Sequence, residues 1–116
     1  MNVVTLDVAA LIHSPSALTR EQGAIVHKQI VENLESGNKV ILDFNDIESL
    51  ITPFLNVSIG KLYETFNSSQ LNKQLEIRNF PVGTGSKFKM VIENAKQYYS
   101  NKSAFNKAVE EVINNQ

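Results

Sequence analysis

The segment KVILDFNDIESLITPFLNVSIGKLYETF, residues 39–66, decides the fold of this chain. It begins with an apolar run, Val40 to Phe44, that lies between the polar pairs Gly37-Asn38 and Asn45-Asp46. A short, continuous apolar run rich in β-branched residues is typical of a strand that is covered on both faces. We therefore predict a central, buried strand here.

A helix is predicted to follow this strand. Thr52 is placed to act as the N-cap, and Pro53 occupies the first helical position, where its missing N–H is tolerated. At 100° per residue, four apolar side chains fall in one narrow stripe, namely Leu55, Ile59, Leu62 and Phe66. We expect this stripe to pack on a sheet.

Three short segments carry a resemblance to a known family. They are DF at residues 43–44, ITPFLN at 51–56 and IGKLY at 59–63, with Thr19-Arg20 ahead of them. Together they resemble a STAS-like bacterial family of unknown function, related to the STAS domains of anti-sigma factor antagonists, over roughly residues 19–79. In the antagonists an Asp-Ser-Ser-Gly-Leu element opens the helix after the central strand. It aligns here with residues 51–55, and the helix glycine of the family aligns with Gly60.

The resemblance implies an α/β fold, and the alternation of strand and helix patterns along the chain predicts the same class. We expect one STAS-like domain, residues 1–116, with a small, mostly parallel or mixed sheet of about three to five strands and about four helices. Outside the central segment, the first predicted element is a strand from Val3 to Leu6 that extends at most to Ile12, with a hairpin within residues 1–13 as the alternative. A helix from about Arg20 to Ser36 follows, and after the central segment come a polar connection, Asn67–Asn72, and a strand, Leu75–Phe80. The last two elements are a helix that opens at Lys87 and a helix capped by Ser103 with an apolar face from Phe105 to Ile113.

The resemblance also implies a partner. Anti-sigma factor antagonists bind an ATP-binding, kinase-like anti-sigma factor, so we expect a kinase-like ATPase or a related regulator here. The implied contact residues are Thr52, Phe54, Asn56, Ser58 and Lys61.

Phosphorylation is a separate question, because the second Ser of the family element is the phosphoacceptor and Pro53 stands at that position. Thr52 is then the candidate phosphoacceptor, with a purely structural N-cap as the alternative. Two alternatives also remain for Phe54, which either is tucked under a neighbouring loop or presents its ring to the partner.

A second candidate site lies where strands lead into helices. In a parallel sheet these junctions share the carboxyl edge, where helix N-termini favour anions. The residues concerned are Arg20 and Thr52, together with Gly83, Thr84, Gly85, Ser86 and Lys87. The alternative function is therefore an anion- or ligand-sensing domain for a nucleotide or phosphorylated metabolite. The Gly-Thr-Gly-Ser-Lys run lacks P-loop spacing, so a flexible start of a helix is the competing interpretation, and Arg20 is otherwise a surface residue of a capping box.

Composition excludes several classes of protein. Eleven basic and 12 acidic side chains give a net charge of −1, which disfavours binding to nucleic acid through bulk charge. The chain has no cysteine, and no apolar stretch approaches the roughly 18 residues of a membrane span. We expect a cytoplasmic monomer or weak dimer without a cofactor.

We also expect no enzyme activity and no metal site. The turn with Asp43, Asp46 and Glu48 does not offer a complete set of metal ligands at suitable spacing, so we expect this turn to be solvated. His13 and His27 have no partners in a recognisable catalytic arrangement, and His27 lies beside the apolar face of its helix, where we expect a half-covered ring.

Overall fold

The computed structural model describes the backbone of residues 1–114 and the side chains of residues 1–100. It is an α/β fold, as predicted. In chain order the elements are β1 (Val3–Asp7), α1 (Val8–Ile12), β2 (Ser16–Ala17), α2 (Arg20–Glu35), β3 (Lys39–Asp43), β4 (Ser49–Leu50), α3 (Thr52–Leu55), a π-helix (Asn56–Gly60), α4 (Leu62–Thr65), α5 (Ser68–Gln74), β5 (Leu75–Arg78) and α6 (Gly85–Asn114).

Two parallel sheets organise the chain. The larger sheet has the strand order β1-β3-β5, with Leu6 opposite Leu42 and Leu42 opposite Ile77. β3 is therefore central, and Val40, Ile41 and Leu42 are all buried, which confirms the prediction of a strand covered on both faces. The smaller sheet pairs β2 with β4 in parallel, with Ala17 opposite Leu50.

The core lies between the larger sheet and the helices. The predicted stripe of Leu55, Ile59, Leu62 and Phe66 is buried, as is the inward face of α2 formed by Gly23, Val26, Ile30 and Leu34. Phe88 of α6 packs edge-on against Phe44, with ring centroids 5.1 Å apart. Through this contact, α6 is held against the end of the central strand.

α2 begins and ends as its sequence predicts. Thr19 and Gln22 form the capping box, in which the Thr19 hydroxyl accepts from the Gln22 backbone N–H and the Gln22 side chain accepts from the Thr19 backbone N–H. The helix stops at Glu35, and Gly37 follows with φ +81°, a left-handed conformation that glycine adopts without strain.

Three predicted elements are wrong. Residues 1–13 form no hairpin, because Asp7 ends β1 and its carboxylate caps α1 by accepting from the Ala10 N–H. Residues 67–72 are not a polar connection, because Asn67 caps α5, a helix too short to show apolar periodicity, with Leu71 as its buried residue. α6 runs through Ser103 without a break, so no new helix starts there. The side chains of the apolar face predicted from Phe105 to Ile113 lie outside the described residues.

Smaller differences concern the end of β5 and the start of α6. β5 ends at Arg78 rather than Phe80, because Asn79 turns the backbone into the left-handed region with φ +58°. α6 begins at Gly85, two residues before the predicted start. Among the helices of the described residues, none is both long and apolar enough to cross a membrane.

Candidate functional site

The three predicted junctions between strands and helices are found along one side of the fold. β2 and β4 run side by side into α2 and α3, and the Ile51 N–H donates to the Ala17 carbonyl at 3.1 Å. The start of α6 approaches the same place, where the Lys87 ammonium lies 3.4 Å from the Leu50 carbonyl and donates to it. Thr52 and Lys87 therefore both lie next to the end of β4.

The N-cap of the helix after β4 lies one residue earlier than predicted. Its N-cap is Ile51, which is extended and makes no capping hydrogen bond through its side chain, while Thr52 and Pro53 occupy the first two helical positions. The prediction that Thr52 is the N-cap is thus wrong. Thr52 is partly exposed.

A π-turn then changes which side chains of this helix reach the surface. The Lys61 N–H donates to the Asn56 carbonyl at 3.0 Å, a bond between residues five apart rather than four. In a regular α-helix these two residues would be about 140° apart around the axis. The wider turn instead brings them closer to one line, so that Thr52, Asn56 and Lys61 follow one another along one side of the helix.

Two residues that were predicted to contact a partner are buried. Phe54 and Ser58 are both 0 % exposed, because α2 packs closely against their side of the helix through Gly23. The interpretation of Phe54 and Ser58 as surface contacts is therefore wrong, and Phe54 fills the interior. Asn56 and Lys61 are exposed, as a binding role requires.

Gly23 allows α2 to lie directly against this turn. A Cβ atom at Gly23 would be 2.8 Å from the Phe54 carbonyl oxygen and 3.0 Å from the Val57 Cβ atom. Both distances are shorter than normal packing tolerates. The absence of a side chain thus brings the first turns of α2 beside the π-helix.

An open groove of about 720 Å³ lies between α2, the π-helix and α6. α2 contributes Arg20 and Glu21, while the neighbouring helix contributes Asn56 and Lys61. Tyr98 and Tyr99 of α6 close the third side, with their rings edge to face and centroids 4.9 Å apart. The groove unites Arg20, predicted as part of an anion site, with Asn56 and Lys61, predicted as partner contacts.

The lining of this groove contains two cations, Arg20 and Lys61, and one anion, Glu21, which gives a net charge of +1, and the charge of Glu64 reaches Tyr99 from outside the lining. Among residues 1–100 the structure contains one ion pair between side chains, Arg78 with Glu76, so Arg20 and Lys61 are not paired with any described carboxylate. Glu21 is the single acidic residue of the lining. Burial, with the nearby charges of Glu64 and Tyr98, raises the pKa of Tyr99, so its phenol is neutral and can donate a hydrogen bond.

His27 lies behind the groove, at the contact of α2 with the π-helix. Its Nδ1 atom is 3.4 Å from the Ser58 carbonyl oxygen. Burial is the main effect that lowers the pKa of His27, the Lys61 charge lowers it further, and the Ser58 bond and Glu64 act in the opposite direction. The expected half-covered ring is confirmed, and it stays neutral near pH 7.

The loop from Gly83 to Lys87 is not part of the groove. Gly83 has φ +82°, and the Thr84 hydroxyl donates to the Pro81 carbonyl in the turn that starts α6. Lys87 is directed to Leu50, as described above. Anion binding by this loop, including Gly85 and Ser86, stays a prediction. Within residues 1–100, no three His, Asp or Glu side chains lie close enough together to hold a metal ion.

A protein-family model described as a STAS-like domain of unknown function (DUF4325) matches residues 22–80, 59 of the 116 residues. The chain belongs to this family. The match runs from the first turn of α2 to just past β5, so this STAS-like domain includes the central strand, the π-helix and Lys61. The resemblance inferred from residues 39–66 is confirmed. None of the curated proteins and none of the solved structures matches the chain significantly.

Sequence reasoning missed two parts of the groove, the π-turn and Tyr98. No local pattern in NVSIG reveals the π-turn, and its close contact with Gly23 joins residues that are distant in the sequence. Tyr98 did leave a signal in the sequence. Of the adjacent pair Tyr98-Tyr99, only Tyr99 fits the inward stripe of its helix, so Tyr98 is left at the surface, where it is 60 % exposed.

Proposed function

We propose that this STAS-like domain is a non-catalytic interaction module in bacterial regulatory signalling. It binds a protein partner through the exposed residues Arg20, Thr52, Asn56, Lys61 and Tyr98, here called the π-helix face. The observation that carries the proposal is the π-turn, which brings Asn56 and Lys61 into line beside Arg20. π-turns within helices are rare and are frequently found at functional sites.

The composition of the π-helix face supports a protein partner. Arginine and tyrosine are enriched in protein interfaces, where planar side chains combine contact area with directed hydrogen bonds. Arg20 and Tyr98 lie on different helices and on opposite sides of the groove. A partner that enters the groove can therefore contact both residues and Asn56.

The class of partner is proposed from the resemblance to the STAS domains of anti-sigma factor antagonists. A kinase-like ATPase, an anti-sigma factor or a related regulator is the partner that a STAS-like module would engage. The domain acts in the cytoplasm as a monomer or weak dimer, without nucleic acid or cofactor.

Thr52 is the residue at which this binding would be regulated. It is partly exposed at the start of α3, one turn before Asn56. A phosphate on Thr52 would add a charge of about −1.5 to −2 to the π-helix face. Phosphorylation of Thr52 is then a means of altering the complex even though Pro53 replaces the phosphoacceptor of the antagonists.

Capture of partners by the immobilised chain tests the proposal. We expect the wild type to retain a kinase-like ATPase or related regulator, and Asn56→Trp to lose it because the larger, uncharged ring obstructs the groove. Thr52→Asp should weaken retention, and Ser69→Asp is its control, since Ser69 is exposed on α5 away from the π-helix face. Equal retention by wild type and Asn56→Trp, or no specific partner at all, would contradict the proposal.

The cationic groove also favours a second candidate function, the sensing of a phosphorylated ligand. Arg20 and Lys61 could hold a phosphate group between them. A ligand that binds only the folded state raises the melting temperature with concentration. A saturable shift with ATP, lost in Arg20→Ala, would favour this function over the interaction module.

A further inference from the structure

We infer that the groove between α2, the π-helix and α6 is the docking site for an extended acidic segment of the partner protein. The inference rests on the proposed function and names the chemistry of the contact. It goes beyond the predicted contacts because it includes Tyr98 and Tyr99 and excludes the buried Phe54 and Ser58.

The charged side chains of the groove favour an acidic segment. Arg20 is the first residue of α2 and Lys61 follows the π-helix, so the two cations belong to different elements and face one groove. Both are exposed, and neither forms an ion pair with the side chains described for residues 1–100. Glu21 offsets one of these charges. The groove thus favours a segment with a small number of carboxylates, placed to meet Arg20 and Lys61 and kept away from Glu21.

The shape of the groove and its hydrogen-bonding groups favour an extended peptide. Small ligands usually occupy enclosed, largely apolar pockets, whereas this groove is open to solvent and only about half of its lining is apolar. Asn56 offers both a donor and an acceptor, the combination that a peptide backbone needs. The exposed ring of Tyr98 gives an apolar neighbour of the acidic residues a surface to pack on. An extended peptide uses all three features, and a free phosphate uses only the cations.

The π-turn brings Asn56 and Lys61 to the same groove. Without the i to i+5 hydrogen bond, the same sequence would direct Lys61 about 140° away from Asn56. The turn therefore combines a cation with the amide side chain that precedes it along the helix. Gly23 permits this arrangement by letting α2, and with it Arg20, approach the turn.

Selection from a library of random 12-residue peptides displayed on phage tests the inference even before the partner protein is identified. We expect the full chain to enrich peptides that carry Asp or Glu next to an aromatic or aliphatic residue. The most enriched peptide is then synthesised with a fluorescein label, and its binding is measured by fluorescence anisotropy. Replacing its acidic residues with Asn or Gln should weaken binding by about tenfold or more, because charged hydrogen bonds are lost.

Substitutions in the chain locate the binding site. Arg20→Ala and Lys61→Ala should each weaken peptide binding by about tenfold, and Tyr98→Ala by a smaller factor. Lys28→Ala is the matched control, because Lys28 is an exposed cation of α2 outside the groove, and it should change affinity by less than about twofold. Binding should also weaken as salt is raised from about 0.05 to 0.3 M, since exposed charges are screened.

Several outcomes would overturn the inference. They are enrichment of peptides without acidic residues, equal binding by the Arg20 and Lys61 variants, and displacement of the peptide by micromolar ATP. The proposed function fails separately. A partner that Asn56→Trp loses, but that Arg20→Ala and Lys61→Ala still bind, would exclude an acidic segment and leave the interaction module in place.

Discussion

Two helices that start side by side differ in almost every respect. α2 has a capping box, regular hydrogen bonding and a glycine-terminated end. Its neighbour, from Thr52 to Thr65, has no side-chain cap and contains a π-turn. The regular helix supplies a rigid support, while the irregular one places Asn56 and Lys61 at the surface. In this fold, the element that departs from ideal geometry is the one that shapes the groove.

Their contact at Gly23 should be the most sensitive point of the comparison. Gly23→Ala adds a methyl group 2.8 Å from the Phe54 carbonyl, and we expect it to lower the free energy of unfolding by about 1–3 kcal/mol. Gly60→Ala is the control, since its new Cβ would meet Val91 at an ordinary 3.6 Å. That variant should be neutral or stabilised by about 0.5–1 kcal/mol through helix propensity. Urea denaturation measures both variants, and equal stability would mean that α2 does not depend on close contact at Gly23.

The starts of the two helices give a second test. Thr19→Ala removes the hydroxyl that accepts from the Gln22 N–H and should destabilise the chain by about 1 kcal/mol. Thr52→Ala removes no capping bond and should change stability by less than about 0.5 kcal/mol. Thermal unfolding of the two variants at the same pH decides the matter. A larger loss for Thr52→Ala would restore Thr52 as the cap.

The π-turn contains a defect that substitution should relieve. Among the described residues, the Ser58 hydroxyl has no hydrogen-bond partner although it is fully buried. Ser58→Ala removes that polar atom, and we expect a gain of up to about 1 kcal/mol. Ser69→Ala, at an exposed position on α5, should leave stability unchanged. A loss of stability in Ser58→Ala would show that the hydroxyl makes a bond in solution.

The smallest expected effect is the pH dependence contributed by His27. Burial lowers the pKa of His27 below its usual 6.5, so in the window below 6.5 the unfolded chain binds more protons than the folded protein. The contribution of His27 to stability is therefore fully present above pH 6.5 and is lost as the pH falls. The melting temperature of His27→Gln should fall less than that of wild type between about pH 7.5 and 5.5.

His13→Asn is the control for this pH dependence. It removes the other histidine, which is exposed and has a left-handed backbone conformation that asparagine tolerates. The melting temperature of this variant should depend on pH as that of wild type does. If His27→Gln and wild type change in parallel, the pH dependence comes from other groups.

The same comparison shows what sequence could and could not predict. Every signal that defines α2 is local, from the capping box to Gly37, so its bounds were predicted to within one residue. The central strand was equally clear, because an apolar run between polar turns has few alternatives. The cap of the next helix was misplaced by one residue, since Ile51 caps it with backbone geometry alone.

The groove depended on contacts between distant residues. Phe54 and Ser58 were placed at the surface and proved buried, because periodicity within one helix does not show that α2 packs against that side. Asn56 and Lys61, predicted as partner contacts, are exposed, and their place beside Arg20 in one groove required the fold. The short helix α5 was missed for a simpler reason, because seven residues with a single buried side chain show no period.

The most direct test of the account is a map of the partner's contact surface on the chain. Amide chemical shifts of the ¹⁵N-labelled protein would be followed by NMR as the captured partner is added. We predict that the largest changes fall on Arg20, Asn56, Lys61 and Tyr98, and that Asn56→Trp abolishes them. Changes confined to residues 79–87, with the π-helix face unaffected, would contradict the account.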